Sequence, residues 1–481
     1  MHVNRREFLR KSICAALGGA SLYSALGSLR LIGAAAAAQR PNGFSDYKAL
    51  VCIFMYGGND SFNTVVPISG QDQVDYIASR GSLALTSGLH ALTPDAGPSN
   101  YGLHPAMAEI ASLFNSGDAA IVANVGSLLY PITQSQYQNG TVPTPPQLFS
   151  HDDQTNQWQT SRPDDPNANG WGGRIADVLH AANQGQIPMS ITVSGQNRFQ
   201  RGAIVSQYGV DAWGASCSAA GDPDCGPFSV TTMNYLGDGP ESWLIDWDDP
   251  NVVANDATAY NALIASGTQA HVLERAYADA ATRTIANSTL LNSALAAAGT
   301  LATPFPDTDL GNQLAAVAML IKVRASLGMS RQIYFVSVGN YDTHGTQLDD
   351  QNDNLMQLSQ GVNAFHTEMQ QQGIGDSVTT FTSSDFGRSL AVNGDGTDHG
   401  WGGHHFVVGG AVNGRKFYGA MPSLKQDGNP DDTGYGQIIP TQAVDQYAAT
   451  LARWFGVDSG GLNDIFPNLG RFPTSDLGFM G

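Results

Sequence analysis

The chain has 481 residues, of which 42% are hydrophobic, and this is enough apolar material to bury a large core. Its 42 acidic residues outnumber the 23 basic ones and give a formal net charge of −19. The charges are spread along the chain, and no basic stripe is present to neutralise phosphates. This excludes the usual electrostatic basis for nucleic-acid binding.

The first 38 residues are predicted to be a targeting segment. A twin-arginine signature at Arg5 and Arg6 is followed by a modestly apolar, glycine-diluted run, Ile13–Leu29. The small residues Ala34–Ala38 provide a cleavage site, which we place just before Gln39. Since the apolar run is short, we predict no transmembrane anchor. We expect twin-arginine export to the periplasm or the outside of the cell.

The cysteines are consistent with an oxidising compartment. Cys52 lies inside an apolar strand and is predicted to be an inert buried thiol. Cys217 and Cys225 lie close together in a loop rich in Gly, Asp and Pro. We predict that these two form a disulfide, in preference to a metal site, because no histidine or third cysteine is near.

Strand-length apolar runs alternate with helical patterns along the chain after residue 38. Such runs are typical of parallel strands that are buried on both faces. The predicted strands are 49–56, 119–125, 189–193, 333–338, 378–382 and 406–410. We therefore predict one α/β domain over 39–481, with a mainly parallel sheet and helices on both faces. The alternation is interrupted at about 196–310, a mostly helical and loop insertion that we expect to cover the site.

Candidate metal ligands follow the ends of these strands. Asp60 comes after the first strand, Asp342 and His344 come after the strand at 333, and Asp385 comes after the strand at 378. A short loop then carries further histidines, among them His399, His404 and His405. The carboxyl ends of parallel strands lie at one edge of a sheet, so these side chains are predicted to converge there. Mixed carboxylate and imidazole ligands suit Zn²⁺ or Mn²⁺ ahead of Ca²⁺ or Mg²⁺.

Three of the site residues have two interpretations each. Asp60 is either a metal ligand or the N-cap of a short helix. Ser150 is an N-cap candidate, although a catalytic nucleophile at a helix N-terminus uses the same geometry. Arg388 either binds an anionic substrate in a bidentate manner or forms an ion pair that holds Asp385 or Asp342.

The motifs together resemble a bacterial family, the domain of unknown function 1501 family. They span nearly the whole chain after residue 38: Gly57–Asp60 with Asn63–Pro67, Tyr341–His344, Ser384–Arg388, and Gly396–Gly400 with Gly409–Gly410. That family is similar in turn to the alkaline phosphatase and sulfatase superfamily. The resemblance implies an alkaline phosphatase-like sheet with a bimetallic site at its edge.

The resemblance also assigns roles residue by residue. It implies that Ser150 lies near the place of the nucleophile. It implies that the metal ligands are Asp60, Asp342, His344, Asp385, and His399 or His404. The superfamily's Asp-His-Gly stands here as Asp385-Phe386-Gly387, which removes one ligand. Either His404 refills the second site, or a single metal binds, or catalysis has been lost.

Two functions from different classes follow. The first is an exported metal-dependent hydrolase of phosphate or sulfate esters, acting on an anionic ester substrate. The alternative is a non-catalytic periplasmic or surface protein, for binding or assembly, that has kept the fold. The resemblance further implies a possible protein partner from the domain of unknown function 1800 family.

Overall fold

The computed structural model describes residues 43–183, 185–213, 229–232 and 272–481. The predicted targeting segment and the Cys217 and Cys225 loop lie outside the described residues, as does much of the predicted insertion. Within the described ranges, no helix combines the length and apolarity that crossing a membrane requires.

Fifteen strands are present in the described part of the chain. They are β1 (Lys48–Met55), β2 (Val65–Pro67), β3 (His90–Ala91), β4 (Tyr101–Leu103), β5 (Ala119–Gly126), β6 (Ser190–Thr192), β7 (Tyr208–Trp213), β8 (Ser229–Thr232), β9 (Arg331–Val338), β10 (Val378–Ser384), β11 (Arg388–Val392), β12 (Thr397–His399), β13 (Gly403–Val408), β14 (Phe417–Tyr418) and β15 (Gln442–Ala443).

The α-helices of the same part of the chain number eleven. They are α1 (Ser61–Thr64), α2 (Gly70–Arg80), α3 (Ala108–Ser116), α4 (Gln134–Gln138), α5 (His151–Thr160), α6 (Trp171–Leu179), α7 (Val272–Ala298), α8 (Asp309–Lys322), α9 (Gln347–Gln371), α10 (Val444–Phe455) and α11 (Ser459–Ile465).

One ten-stranded sheet organises the fold. Its order is β14-β5-β13-β10-β1-β9-β6-β7-β8, and β15 lies beside β5. The five neighbouring strands from β10 to β7 are parallel, whereas β13 is antiparallel to both β10 and β5. The predicted α/β class with a mainly parallel sheet is therefore confirmed. β11 and β12 form a separate hairpin, and β2, β4 and β3 form a small third sheet.

Strand β1 shows why the sheet is covered on both faces. Its side chains alternate between two hydrophobic cores: Ala49, Val51 and Ile53 belong to one, and Leu50, Cys52 and Phe54 to the other. Successive side chains of a strand point to opposite faces, so a strand buried on both sides has to be apolar throughout. The first core includes side chains of helices α3, α8 and α9, and the second includes side chains of α6, α10 and α11.

The topology brings the predicted strand ends to one edge. Met55 of β1 is paired in register with Ser384 of β10 and with Val338 of β9. Because β13 is antiparallel to β10, the loop that precedes β13 reaches this edge as well. The loop after β1, the loop after β9, the loop after β10 and the segment that carries His399 can therefore meet.

Candidate metal centre

The centre is built on close backbone contacts between the loops after β1, β9 and β10. Tyr341 N donates to Tyr56 O at 3.2 Å, and Gly57 N donates to Oδ2 of Asp385 at 3.0 Å. Gly57 has φ +115°, and a Cβ there would lie 2.3 Å from the backbone nitrogen of Asp342. Only glycine fits, and this close approach holds Asp342 beside Asp385.

Three imidazoles surround the carboxylate of Asp342. Its Oδ1 lies 3.1 Å from Nε2 of His344 and 3.3 Å from Nε2 of His399, and its Oδ2 lies 3.4 Å from Nε2 of His151. The imidazoles also contact one another: Nε2 of His399 is 3.0 Å from Nε2 of His151 and 2.9 Å from Nε2 of His344. The three Nε2 atoms and the carboxylate of Asp342 thus converge on one point.

The opposite nitrogen of each ring faces an oxygen atom. Nδ1 of His151 is 2.7 Å from Oδ2 of Asp385, and Nδ1 of His399 is 2.7 Å from the carbonyl oxygen of Phe149. Nδ1 of His344 is 3.3 Å from Oδ1 of Asp398. Carbonyl and carboxylate oxygens only accept hydrogen bonds, so these partners assign the proton of each neutral ring to Nδ1.

This assignment provides a test of whether a metal fits. With Nδ1 protonated, the neutral rings of His151 and His399 present two Nε2 lone pairs to each other at 3.0 Å, beside the carboxylate of Asp342. Such an arrangement is unfavourable unless a proton or a metal cation lies between the groups. Histidine ligands of metals have this second hydrogen bond to a carboxylate or a carbonyl. The donor set therefore fits a divalent metal.

The innermost set consists of two histidines and one carboxylate. The ligand atoms of His151, Asp342 and His399 all lie within 4.8 Å of one another, and no other such group occurs among the residues that the structure describes. Two histidines with one carboxylate are typical of metal sites that keep open positions for water or substrate. The side chain of His344 is 46% exposed and lies at the solvent side of the set.

The surrounding charges shift the titration of these groups in opposite directions. The hydrogen bond to Asp385 raises the pKa of His151, and the charges of Asp385 and Asp342 act in the same direction. Burial lowers the pKa of His399, and the nearby His151 adds to this effect. Burial acts against ionisation of Asp342, but the hydrogen bond and charge of Arg388 outweigh it and lower the pKa of Asp342.

Asp385 lies behind the ligand set rather than in it. Its side chain is buried, and its Oδ2 accepts from Gly57 N and contacts Nδ1 of His151. Within the described residues, its Oδ1 has no hydrogen-bond partner. Through Oδ2, Asp385 holds His151 in place. The role of Asp385 as a direct ligand stays a prediction.

Asp60 is outside the group, because its carboxylate is saturated by other partners. It caps helix α1 by accepting from Phe62 N at 3.0 Å and Asn63 N at 3.4 Å. It also forms a fully buried ion pair with Arg80 and a hydrogen bond with the amide of Gln347. Of the two interpretations of Asp60, the structure supports the N-cap.

Arg388 is fully buried, and its contacts are internal. Its Nη1 donates to Oδ1 of Asp342 at 2.7 Å and to Gly57 O at 3.0 Å, and its Nε donates to Oγ1 of Thr397 at 2.8 Å. Nη2 donates to the carbonyl of Thr397. The structure thus supports the ion pair with Asp342, and it leaves no exposed part of the guanidinium for a substrate anion.

Ser150 and His404 also lie outside the ligand set. Ser150 caps helix α5, and its hydroxyl donates to Oδ2 of Asp153 at 2.7 Å. His404 is buried within β13, where its Nδ1 accepts from Asn124 N at 3.0 Å. Burial lowers the pKa of His404 to about 4. His404 is therefore not a member of the group formed by His151, Asp342 and His399.

The sequence analysis did not single out His151 as a candidate ligand. This residue directly follows the predicted cap Ser150 and is the first residue of α5, so its ring extends from the start of the helix toward Asp342 and Asp385. The available signal was a histidine at a predicted helix start after a proline-rich loop. No spacing rule connects position 151 with positions 342 and 399.

A family model described as a protein of unknown function, DUF1501, matches residues 241–444, which is less than half of the chain. The matched segment contains Asp342, His344, Asp385 and His399, but not His151. No curated protein matches the sequence.

Solved structures show only a weak likeness to this chain. The lipoteichoic acid synthase LtaP from Listeria monocytogenes has 9% identity and a TM-score of 0.33, with 86% of this chain and 73% of that chain covered. The PsFucS1 sulfatase from Pseudoalteromonas sp. has 9% identity and a TM-score of 0.33, with 89% and 71% covered. A mutant of the alkaline phosphatase PafA has 11% identity and a TM-score of 0.27, with 72% and 64% covered. TM-scores this low carry no weight for function.

Proposed function

We propose that this chain is an exported, metal-dependent hydrolase of phosphate or sulfate esters. The proposal depends on one observation, the convergence of the Nε2 atoms of His151, His344 and His399 on the carboxylate of Asp342 at the carboxyl edge of the sheet. Ligands in open α/β sheets bind at this edge. The twin-arginine motif at Arg5 and Arg6 supports export.

The chain's own groups have distinct roles in this proposal. His151, His399 and Asp342 would hold the metal, and Asp385 would keep the Nδ1 proton of His151 in place. Arg388 holds Asp342 through Oδ1. His344 is half-exposed at the solvent side, where its ring can accept a proton from an attacking water molecule. A bound divalent metal would supply Lewis acidity and a positive charge for the anionic ester.

The number and kind of metal follow from the donor set. The described residues contain one such group, and the other strand-end carboxylate, Asp60, is already neutralised by Arg80. We therefore propose one metal per chain. Two imidazole nitrogens and one carboxylate favour Zn²⁺ over Mg²⁺ and Ca²⁺, which prefer oxygen ligands only.

The test is elemental analysis of protein purified without chelator, followed by hydrolysis assays on 4-nitrophenyl phosphate and 4-nitrophenyl sulfate. We expect about one transition metal per chain, and loss of both metal and turnover in His399→Ala. His180→Ala is the matched control, since this half-buried histidine lies outside the group. Protein without bound metal, or a His399→Ala variant that keeps it, would contradict the proposal. Metal without turnover on any ester would favour the non-catalytic alternative and a protein partner.

A further inference from the structure

A groove beside the metal centre has walls from two separate loops. One wall comes from the segment around α4 and the other from residues 433–435, and together they line an open cavity of about 660 Å³. The lining residues are Tyr137, Gln138, Gly140, Val142, Thr144, Thr433, Gly434 and Tyr435. The volume lies within the range of small-molecule sites, which is roughly 300–1,000 Å³.

The two walls are attached to each other and are shaped before any ligand arrives. The side-chain amide of Gln134 donates to Asn429 O at 2.7 Å and to Asp432 O at 2.6 Å. The start of α4 is fixed by a capping box of Thr133 and Gln136. A ligand would therefore lose little affinity to ordering of the loops.

Both walls also adjoin the metal centre. Leu390 N, in β11, donates to Gly436 O at 2.7 Å, and β11 is paired with β12 in the register Arg388 to His399. Gly436, the residue after Tyr435, is thus bonded to the strand that pairs with the His399 strand. On the other wall, the ring of Tyr137 is 5.9 Å from the ring of Trp401, two residues after His399.

Two tyrosine rings dominate the lining. Tyr435 is 80% exposed, an unusual state for a large aromatic side chain, and Tyr137 faces the same cavity. Burial raises the pKa of Tyr137, and the neighbouring Tyr435 adds to this shift. Exposed tyrosines provide rigid, flat apolar surfaces at a low cost in conformational entropy.

The rest of the lining is uncharged, and apart from Val142 and two glycines it is polar. The side chains of Gln138 and Thr144 make no hydrogen bond within the described part of the protein, so they are available to a ligand. No described residue that lines the groove carries a charge. An aromatic surface combined with amide and hydroxyl groups matches a molecule with flat apolar faces and many hydroxyl groups.

We propose that this groove binds a neutral saccharide, whose rings stack on Tyr435 and Tyr137 and whose hydroxyl groups bond to Gln138 and Thr144. Saccharide binding here requires no metal and is independent of hydrolysis. A chain charge of −19 disfavours polyanionic glycans at a site that offers no cation. If the proposed hydrolysis also holds, the groove would place the sugar portion of an ester within reach of the metal centre.

The test is a glycan array that carries both neutral and sulfated or uronate-containing oligosaccharides, probed with the full chain. Binding saccharides are then titrated by calorimetry. We expect neutral oligosaccharides to bind, Tyr435→Ala to weaken binding about tenfold or more, and Tyr435→Trp to retain it. Tyr435 is largely exposed, so its replacement should leave the fold intact. Ile204→Ala, which removes another exposed hydrophobic side chain outside the groove, should leave binding unchanged.

Three results would overturn the proposal: no glycan on the array binds, binding survives Tyr435→Ala, or a decaproline peptide rather than a saccharide binds in a Tyr435-dependent way. The titrations are repeated after the metal is removed with a chelator. If the protein hydrolyses no ester but still binds the saccharide in a Tyr435-dependent way, the saccharide-binding proposal stands and the hydrolase proposal is contradicted.

Discussion

At the residue scale, the centre depends on how each imidazole is held from behind. The distances from Nδ1 to Asp385 and to the carbonyl of Phe149 are both 2.7 Å, so the rings of His151 and His399 are fixed in rotation as well as in tautomer. The carboxylate of Asp385 raises the proton affinity of His151, whereas the partner of Nδ1 in His399 is the uncharged carbonyl of Phe149. The two rings therefore differ in basicity although they are in contact.

The first residue-scale prediction concerns Asp385→Asn. The amide keeps the shape of the carboxylate but removes its charge, so it orients His151 less strongly. We expect Zn²⁺ affinity to fall by about 10- to 100-fold, as measured by competition with a chelating dye. In metal-free protein the pKa of His151 should also fall, because Asp385 raises it, and NMR titration of the ring protons checks this.

Asp152→Asn is the matched control for Asp385→Asn. Asp152 is next to His151 in sequence and carries the same charge, but it is exposed. Equal losses of Zn²⁺ affinity in the two variants would show that net charge, rather than the contact with Nδ1, is what matters.

At the element scale, the turn after β1 supports the centre through glycine. Gly58 has φ +84°, and a Cβ there would lie 2.2 Å from the ring of Phe386. That ring in turn lies 4.9 Å from the ring of His151 and 4.8 Å from the ring of His399. Gly58 thus packs against Phe386, and Phe386 packs against His151 and His399. These contacts connect the end of β1 to the ligand set.

We predict that Gly58→Ala is destabilising and disrupts metal binding. The methyl group would displace Phe386, and the positive φ adds backbone strain, so the free energy of unfolding should fall by about 2–4 kcal/mol. Urea unfolding measures this loss, and elemental analysis should show less bound metal.

The variant Gly373→Ala separates the effect of backbone strain from the effect of displacing Phe386. Gly373 has φ +69°, but a Cβ there meets no atom within 4 Å in the described structure, so only backbone strain of about 1 kcal/mol applies. A Gly58→Ala variant that is no less stable than Gly373→Ala would mean that the contact with Phe386 is unimportant.

At the scale of the whole molecule, burial of neutral histidines couples folding to pH. His104, His404 and His405 are 2–3% exposed, and burial lowers the pKa of His104 and His404 to about 4 and of His405 to about 3. The unfolded chain takes up these protons near pH 6.5, while the folded chain does not. Stability is therefore lost as the pH falls below about 6.5.

The prediction is that acid destabilises the wild type more than His104→Asn. Nδ1 of His104 accepts from Ala106 N at 3.1 Å, and an asparagine oxygen can take over this bond without titrating. Between pH 7.5 and pH 5, the wild type should lose about 2 kcal/mol more than the variant. Urea unfolding at the two pH values gives this difference, and parallel losses in both proteins would contradict it.

The local hydrophobic pattern of the sequence was sufficient to predict the main strands. Continuous apolar runs predicted β1, β5, β6, β9, β10 and part of β13, because strands buried on both faces have to be apolar throughout. The same pattern predicted that residues after β1, β9 and β10 would meet at one edge. Asp342, His344 and His399 do converge there, and the register of the sheet is the reason.

The role of each acidic residue at that edge of the sheet could not be predicted from the sequence. Asp60, Asp342 and Asp385 look alike as acids after strands, but their partners come from segments up to hundreds of residues away. Arg80 neutralises Asp60, His151 contacts Asp385, and Asp342 faces three imidazoles. Pairings of this kind depend on loop paths and side-chain packing, for which sequence spacing has no rule.

The sequence by itself thus determined the strands, their exposed edge and a pool of acids and histidines, since these follow from hydrophobic periodicity and residue chemistry. Only the tertiary structure decided which members of the pool share a centre, and it added His151 at the start of α5. The physical reason is that a metal ligand is defined by distances of a few ångströms. Those distances are set by packing between elements far apart in the chain, not by the pattern within any one of them.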